Sequence, residues 1–334
     1  MIHYNALVVF TLSCVSIIPL AAIIGDATEQ VAHYTGDKIG GLLNATMGNV
    51  PELLIGLFAI KAGLYDVVKA TIVGSMLGNL LFVLGLSVLV GGIKYPIQNF
   101  NKSAARSNFI MLFYSMISII IPAAFFYTSY HNENAKLNSM SIAVAILMLL
   151  VYISGLIYSL YTHKNIFTSH DDIEDGVDAE APKWSLLKAG VILSVVTLFV
   201  GYESEILVGQ LEEVIKVYHL PQTFIGIIII PIVGNVAEHA AAIIMAYKNR
   251  MDLALEIGVG SATQIALFVG PILLLSSFVF GNPMNYFFAP FHIVALILAF
   301  GISLYVFEDG KTSWLEGLIM LFTYTLFAVT YFFV

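Results

Sequence analysis

Gly48-Asn49-Val50-Pro51-Glu52 places an amide, a helix-breaking proline and a carboxylate inside an otherwise apolar run. The phrase returns 186 residues later as Gly234-Asn235-Val236-Ala237-Glu238. The register holds beyond it: Asp66 matches Asp252, Val73-Gly74-Ser75 matches Val259-Gly260-Ser261, and Leu81-Phe82-Val83 matches Leu267-Phe268-Val269. Over residues 48 to 83 there are 11 identities in 36 positions without a gap. Chance would give about three if roughly one residue in twelve agrees, so the chain is an internal duplication.

The background of the two phrases decides the class of molecule. Hydrophobic residues make up 59% of the chain and charged residues 11%, with a mean hydropathy of +0.91. A soluble domain carries about 25% charged residues, so this sequence reads as an integral membrane protein. The net charge of -8 comes largely from one acidic loop and does not point to nucleic acid. The single cysteine, Cys14, excludes an intramolecular disulfide. The first apolar run, Ala6 to Ile24, lacks a basic leader and reads as a spanning helix rather than a cleaved signal.

A bilayer core of about 30 Å needs roughly 20 apolar residues per helix. That length predicts an all-α membrane protein with ten spans near 5–24, 38–62, 67–92, 106–128, 140–162, 185–209, 222–247, 252–278, 286–307 and 313–333. Five precede the charged segment 163–184 and five follow it, giving repeats over 1–162 and 185–334. An odd number of helices per copy makes the second copy enter from the opposite side. The halves then form an inverted repeat with a substrate site near midplane. Loops on the N-terminal side hold Lys61, Lys69, Lys136 and Lys216; the remaining Lys and Arg, among them Lys38, Lys94, Arg106, Lys164, Lys248 and Arg250, lie on the other side. The basic excess predicts both termini outside and the 163–184 loop in the cytoplasm. That loop, with Asp171, Asp172, Glu174, Asp175, Asp178 and Glu180, reads as a solvated linker or as a regulatory cation-binding segment. It is not an EF-hand, because Ile173 and Pro182 stand where oxygen ligands are needed.

A carboxylate at the bilayer centre costs about 2.5–3.5 kcal/mol on insertion scales. Keeping Glu52 and Glu238 at matched positions therefore suggests two halves of one ion site. Residues three and four apart share a helix face, so Gly48, Asn49 and Glu52 form one stripe and Gly234, Asn235 and Glu238 another. Pro51 cannot donate to the carbonyl of Met47, and Pro231 would free that of Ile227; freed carbonyls at broken helices coordinate cations in transporters. Ser75 with Asn79, and Ser261 with Gln264, add oxygen donors, while Gly74, Gly78 and Gly260 permit close packing. These polar groups read as helix–helix contacts or as ligands of a hard cation; Ca2+ takes six to eight oxygens. His239 reads as a packing residue before a ligand. Asp66 and Asp252 read as helix N-caps. The pairs Asp26/Glu29 and Glu203/Glu205, near opposite helix mouths, read as cation-gathering vestibules or as ordinary interfacial charges.

These residues resemble the calcium/proton exchangers of the calcium/cation antiporter superfamily. The first half carries Gly25-Asp-Ala-Thr-Glu29, Gly40 through Glu52 and Gly74-Ser-Met-Leu-Gly-Asn79; the second carries Ile230 through His239, Lys248 through Asp252 and Gly260 through Phe268. The resemblance covers essentially the whole chain. It implies two inverted five-helix repeats in which Ca2+ and protons compete for Glu52 and Glu238, with Asn49, Asn235, Ser75, Ser261 and Gln264 in support. The sodium/calcium branch has Thr-Ser where this chain has Asn49-Val50 and Asn235-Val236, which argues against Na+ as coupling ion. Many relatives carry a further helix ahead of the first repeat, which is not seen before Ala6.

The function expected is therefore Ca2+/H+ antiport by alternating access, without enzymatic activity or a cofactor. The transported ions and the lipid bilayer are the expected partners, and homo-oligomerisation is left open. A prokaryotic cell membrane is the expected location. The alternatives are another cation (Na+, K+ or Mn2+) on the same fold, or a cation channel.

Overall fold

The computed structural model describes residues 5–128, 134–163 and 182–333, and is almost entirely helical. The acidic stretch 171–180 lies outside the described residues. Helix α1 (Ala6–Met47) is bent at Gly36, whose φ of 79° only glycine adopts without strain. The helices α2 (Val50–Lys61), α3 (Tyr65–Leu77) and α4 (Leu84–Lys94) follow, with a π-helical turn at Gly78–Val83 joining the last two. Then come α5 (Lys102–Thr128), α6 (Asn134–Ile157) and α7 (Leu186–Tyr218). The short α8 (Gln222–Phe224), a π turn (Ile225–Ile229) and α9 (Ile230–Gly234) lead into α10 (Val236–Tyr247). The chain ends with α11 (Met251–Gln264), a π turn (Ile265–Val269), α12 (Gly270–Val279), α13 (Pro290–Val306) and α14 (Trp314–Phe333).

Among the described residues, seven helices are long and apolar enough to cross a membrane, and eight if the bent pair Gln222–Gly234 and Val236–Tyr247 is one span. Two of the expected spans have another form. The stretch 38–62 is the tail of α1 plus the 12-residue α2, and 286–307 is a 17-residue helix that opens at Pro290. The all-α expectation also misses a two-residue strand pair, β1 (Gln98–Asn99) against β2 (Lys311–Thr312). The first helix passes Ile24 and stays helical through Gly25–Glu29 as far as the Gly36 bend. The polar phrase there lies on a helix whose apolar residues still carry the pattern.

The duplication in sequence is a duplication in backbone. Asn49 has φ −97°, ψ 13° and Asn235 has φ −103°, ψ 10°. Both lie in the sparsely populated bridge region, so the two phrases break their helices in the same way. The turns before α3 and α11 each use a left-handed residue at matched positions, Gly63 (φ 77°) and Asn249 (φ 63°). The π turns after Leu77 and Gln264 also correspond. Asp66 and Asp252 sit within the first turns of α3 and α11, but the N-caps are Leu64 and Arg250 and no side chain caps either helix. Asp252 instead accepts the backbone N–H of Asn101 at the start of α5. A long-range partner has overridden the local cap.

The centre of the molecule is α3–π–α4 and α11–π–α12: their apolar stretches are 72% and 61% buried, against 44% for the next helix. The outer helices present Leu187, Tyr305 and Phe333 at 80% exposure or more, as expected where hydrocarbon rather than water is the solvent. One polar clasp ties the halves together at the ends of α4 and α10. The side chain of Gln98, 1% exposed, donates to the carbonyl of Ala246 at 2.8 Å and to Asn249 Oδ1 at 3.1 Å. Gly91 has no Cβ because Gln98 occupies that space. Gln98→Ala leaves a buried carbonyl with one partner fewer, at a cost of about 1–3 kcal/mol. The expected outcome is a lower melting temperature in detergent with unchanged Ca2+ binding; an unchanged melting temperature would remove the clasp from this account.

Candidate ion-binding site

Five segments meet at the middle of the bundle: the start of α2, the α3–π junction, the break between α9 and α10, the start of α10 and the end of α11. Glu52 stands in the first turn of α2, where the helix begins because Asn49 has left helical geometry and Pro51 needs no N–H partner in a first turn. Glu238 stands in the first turn of α10 for the matching reason. The positive ends of two short helices therefore begin beside the two carboxylates, which favours negative charge there.

Glu52 is 1% exposed, and neither carboxylate oxygen has a hydrogen-bond partner. It lies against the other repeat: a Cβ built on Gly234 would be 2.7 Å from Glu52 Oε1. The two carboxylates are close enough for the charge of Glu238 to act on Glu52. Glu238 accepts a side-chain hydrogen bond from Ser261, while its Oε2 has none. The Ser261 hydroxyl in turn accepts from Asn79 Nδ2 at 2.9 Å. A second link between the repeats runs from Asn49 Nδ2 to Gln264 Oε1 at 2.6 Å.

The amides are turned in a consistent way. The nitrogens of Asn79 and Asn235 are committed to protein acceptors, the latter to the carbonyl of Pro231 at 3.0 Å. The oxygens Asn79 Oδ1 and Asn235 Oδ1 have no partner, nor does Ser75 Oγ. Together with both oxygens of Glu52 and Oε2 of Glu238, the site elements thus carry buried oxygens and few free donors. Uncompensated, two buried carboxylates would cost far more than a domain's stability margin. Such a site requires a positive occupant, a cation or protons. Its donors are all oxygens, as hard divalent cations prefer.

The structure thus gathers Glu52, Glu238, Asn49, Asn235, Ser261 and Gln264, with Ser75 buried on α3 one turn before Asn79. Met47 closes α1 where Pro51 cannot supply an N–H to its carbonyl. Ile227 lies in the π turn ahead of Pro231, and its backbone packs on α3 at Gly74. His239 is buried with its ring edge toward Phe82, centroids 6.0 Å apart, and Phe82 leans on Tyr324. It takes the packing role. Asn79 is the residue whose part the sequence understates: it stands one position beyond the match to Gln264, so the repeat register alone does not pair them.

Asp26 and Glu29 line a cavity of about 150 Å³ with Gln30, Lys183 and Trp184. Trp184 is pinned there by its backbone N–H to Gln30 Oε1 and by its carbonyl, which accepts from the Tyr34 hydroxyl. Glu203 and Glu205 do not occupy the corresponding mouth. Helix α7 runs on to Tyr218 and leaves them at mid-helix, partly exposed and exposed. The extra turns of α7 are amphipathic and polar enough to have read as a loop.

The relay Asn79–Ser261–Glu238 gives a graded prediction. Ser261→Ala removes one hydrogen bond to a carboxylate, worth about 1.5–3 kcal/mol. Ca2+ affinity is expected to fall about tenfold or more, with insertion and maximal rate far less affected. Wild-type affinity in this variant would remove Ser261 from the site.

The sodium/calcium exchanger protein family model matches residues 5–161 and 188–333. The chain is 42% identical over 333 residues to the Ca2+/H+ antiporter ChaA of Bacillus subtilis, covering 99% of this chain and 94% of that one. It is 42% identical to the Ca2+/H+ antiporter of Synechocystis, covering 97% and 91%. The solved structure of native YfkE superposes with a TM-score of 0.85 at 40% identity, over 99% of this chain and 94% of that one. The H+/Ca2+ exchanger CAX superposes at 0.71 with 16% identity, a likeness of fold. The chain belongs to the sodium/calcium exchanger family, on its calcium/proton antiporter branch.

Proposed function

We propose that the protein exchanges Ca2+ for H+ across a membrane by alternating access, with Glu52 and Glu238 as the shared binding site. The observation that carries this reading is the pair itself. Two buried carboxylates, one from each repeat, interact electrostatically and leave three oxygens without a protein partner. In a low-dielectric interior two such charges do not persist side by side without a counter-charge. Either one Ca2+ or protons must supply it, and each occupant excludes the other. That exclusion is the coupling.

The remaining parts follow from this reading. Asn49, Asn235, Ser75, Ser261 and Gln264 complete or position the oxygen set, with the carbonyls of Met47 and Ile227 beside the helix breaks. The ten segments form two inverted five-helix repeats, 1–162 and 185–334, related across the midplane. The termini face outward and the 163–184 loop faces the cytoplasm of a prokaryotic cell, following the basic residues. Asp26 and Glu29 collect cations at the loop side. Relatives named as Ca2+/H+ antiporters support the choice of ions, and the asparagines of the two phrases support protons over Na+ as the counter-ion.

The test is ion selectivity in proteoliposomes. Ca2+ uptake is expected under an imposed pH gradient and absent under Na+ or K+ gradients of equal size. Uptake driven by Na+ alone would move the protein to another coupling ion. Uptake that ignores every gradient would make it a channel.

A further inference from the structure

The two repeats match in backbone at their breaks but not in how their leading half-helices are seated. In the second repeat, the half-helix 222–234 is pressed onto α3. A Cβ built on Gly226 would lie 2.5 Å from Ala70 Cβ and 3.0 Å from the carbonyl oxygen of Val67. One turn further on, the backbone of Ile227 fills the space where Gly74 lacks a side chain. Backbone meets backbone along this seam, and Gly74 and Ala70 are fully buried. Such contact is what small residues permit between membrane helices.

The matched position to Gly226 is Gly40, and that of Gly74 is Gly260. Here the seating differs. The three nearest atoms to a Cβ on Gly40 all belong to Ala32, at 2.6 to 3.6 Å, within the same helix α1. The Gly36 bend folds the segment 37–47 back on its own helix instead of onto α11. Among the described residues nothing lies within 4 Å of a Cβ on Gly260, which is partly exposed. The carboxylates agree with this asymmetry: Glu52 is buried, whereas Glu238, below Gly260 on the facing helix, is partly exposed.

We infer that the seam Gly74/Ile227 with Ala70/Gly226 is the seal that closes the site on one side of the membrane, and that Gly260 and Gly40 are the unmade half of the same device on the side of the 163–184 loop. The structure is therefore the state open toward that loop. Passage to the opposite state needs the first seam to part and the segment 37–47 to swing about Gly36 until it seats on α11 at Gly260. The inference rests on the exchange reading above, since it assigns the two sides of one transport cycle. Its device is geometric: a glycine at each of four matched positions, two in backbone contact and two not.

The test is site-directed labelling of full-length protein in oriented vesicles, in a Cys14→Ala background, with a membrane-impermeant maleimide. Cys14 is buried, and its removal clears the background. Without ion gradients, Gly260→Cys is expected to label from the loop side at least about tenfold faster than Ala70→Cys labels from the opposite side. Ile257→Cys, one turn earlier on α11 and partly exposed, serves if Gly260→Cys does not insert. Imposed exchange is expected to raise labelling of Ala70→Cys and lower that of Gly260→Cys. Equal labelling of the two without gradients, or no reciprocal change during exchange, would overturn the inference. The resting comparison needs no transport, so failure of the seal and failure of the exchange reading are read separately.

Discussion

Glu52→Gln, inserted at wild-type yield, is expected to carry no measurable Ca2+ against a pH gradient, a loss of about a hundredfold or more. The substitution keeps the shape of the side chain and removes its charge and its exchangeable proton. What remains is a single carboxylate, Glu238, held by Ser261 through one oxygen. Removing one member of a buried charge set costs about 3–5 kcal/mol where the other member needs it. Here the other member is the cargo ion. Proton exchange fails with it, because half of the site no longer changes protonation between its two occupants. Glu238→Gln is expected to fail as fully. The equivalence distinguishes a shared site from one carboxylate that binds and one that merely neutralises. Ca2+ uptake into proteoliposomes measures it, and wild-type transport by either variant would end the two-carboxylate account.

Gly234→Ala is expected to damage transport nearly as much although it adds one methyl group and no charge. The added Cβ would meet Glu52 Oε1 at 2.7 Å and its carboxyl carbon at 2.8 Å. Glu52 belongs to the other repeat and starts a helix fixed by Pro51 and by the break at Asn49, so the side chain must turn away from its seat. Overpacking of this kind costs about 1–3 kcal/mol, which corresponds to about ten- to a hundredfold in Ca2+ affinity. Gly201→Ala provides the contrast: its Cβ would approach only Leu54, at 3.9 Å, and transport is expected to stay near wild type. Titration of transport rate against Ca2+ concentration separates the two. Equal affinities in the two variants would show that Glu52 does not depend on Gly234 for its place.

Much of this was legible in the sequence because the signals were covalent in origin. The repeated Gly-Asn-Val-x-Glu phrase announces both the duplication and the carboxylates, and an acidic residue in an apolar span has few explanations besides function. Pro51 and Pro231 announce broken helices, and the bridge-region backbones of Asn49 and Asn235 are their structural counterpart. The parts that escaped depend on distance along the chain. Asp66 and Asp252 satisfy every local criterion for a cap, yet Asp252 is drawn to Asn101, 151 positions away. The placement of Asn79 beside Ser261 follows from a π turn that shifts the register of α3 by part of a turn, which no spacing rule predicts. The helical continuation past Glu29 and Glu205 was obscured for a different reason. Polar residues on one face of a long helix look like a loop when each is read only against its neighbours.

The central claim is that Ca2+ and protons contend for the same two carboxylates, and proton release on binding tests it most directly. Calorimetric titration of the detergent-solubilised protein with Ca2+, repeated in buffers of different ionisation enthalpy, counts protons expelled per Ca2+ bound. The account predicts net proton release by the wild-type protein and none by the doubly substituted Glu52→Gln/Glu238→Gln protein. Ca2+ that binds tightly to the wild-type protein without expelling a proton would contradict it.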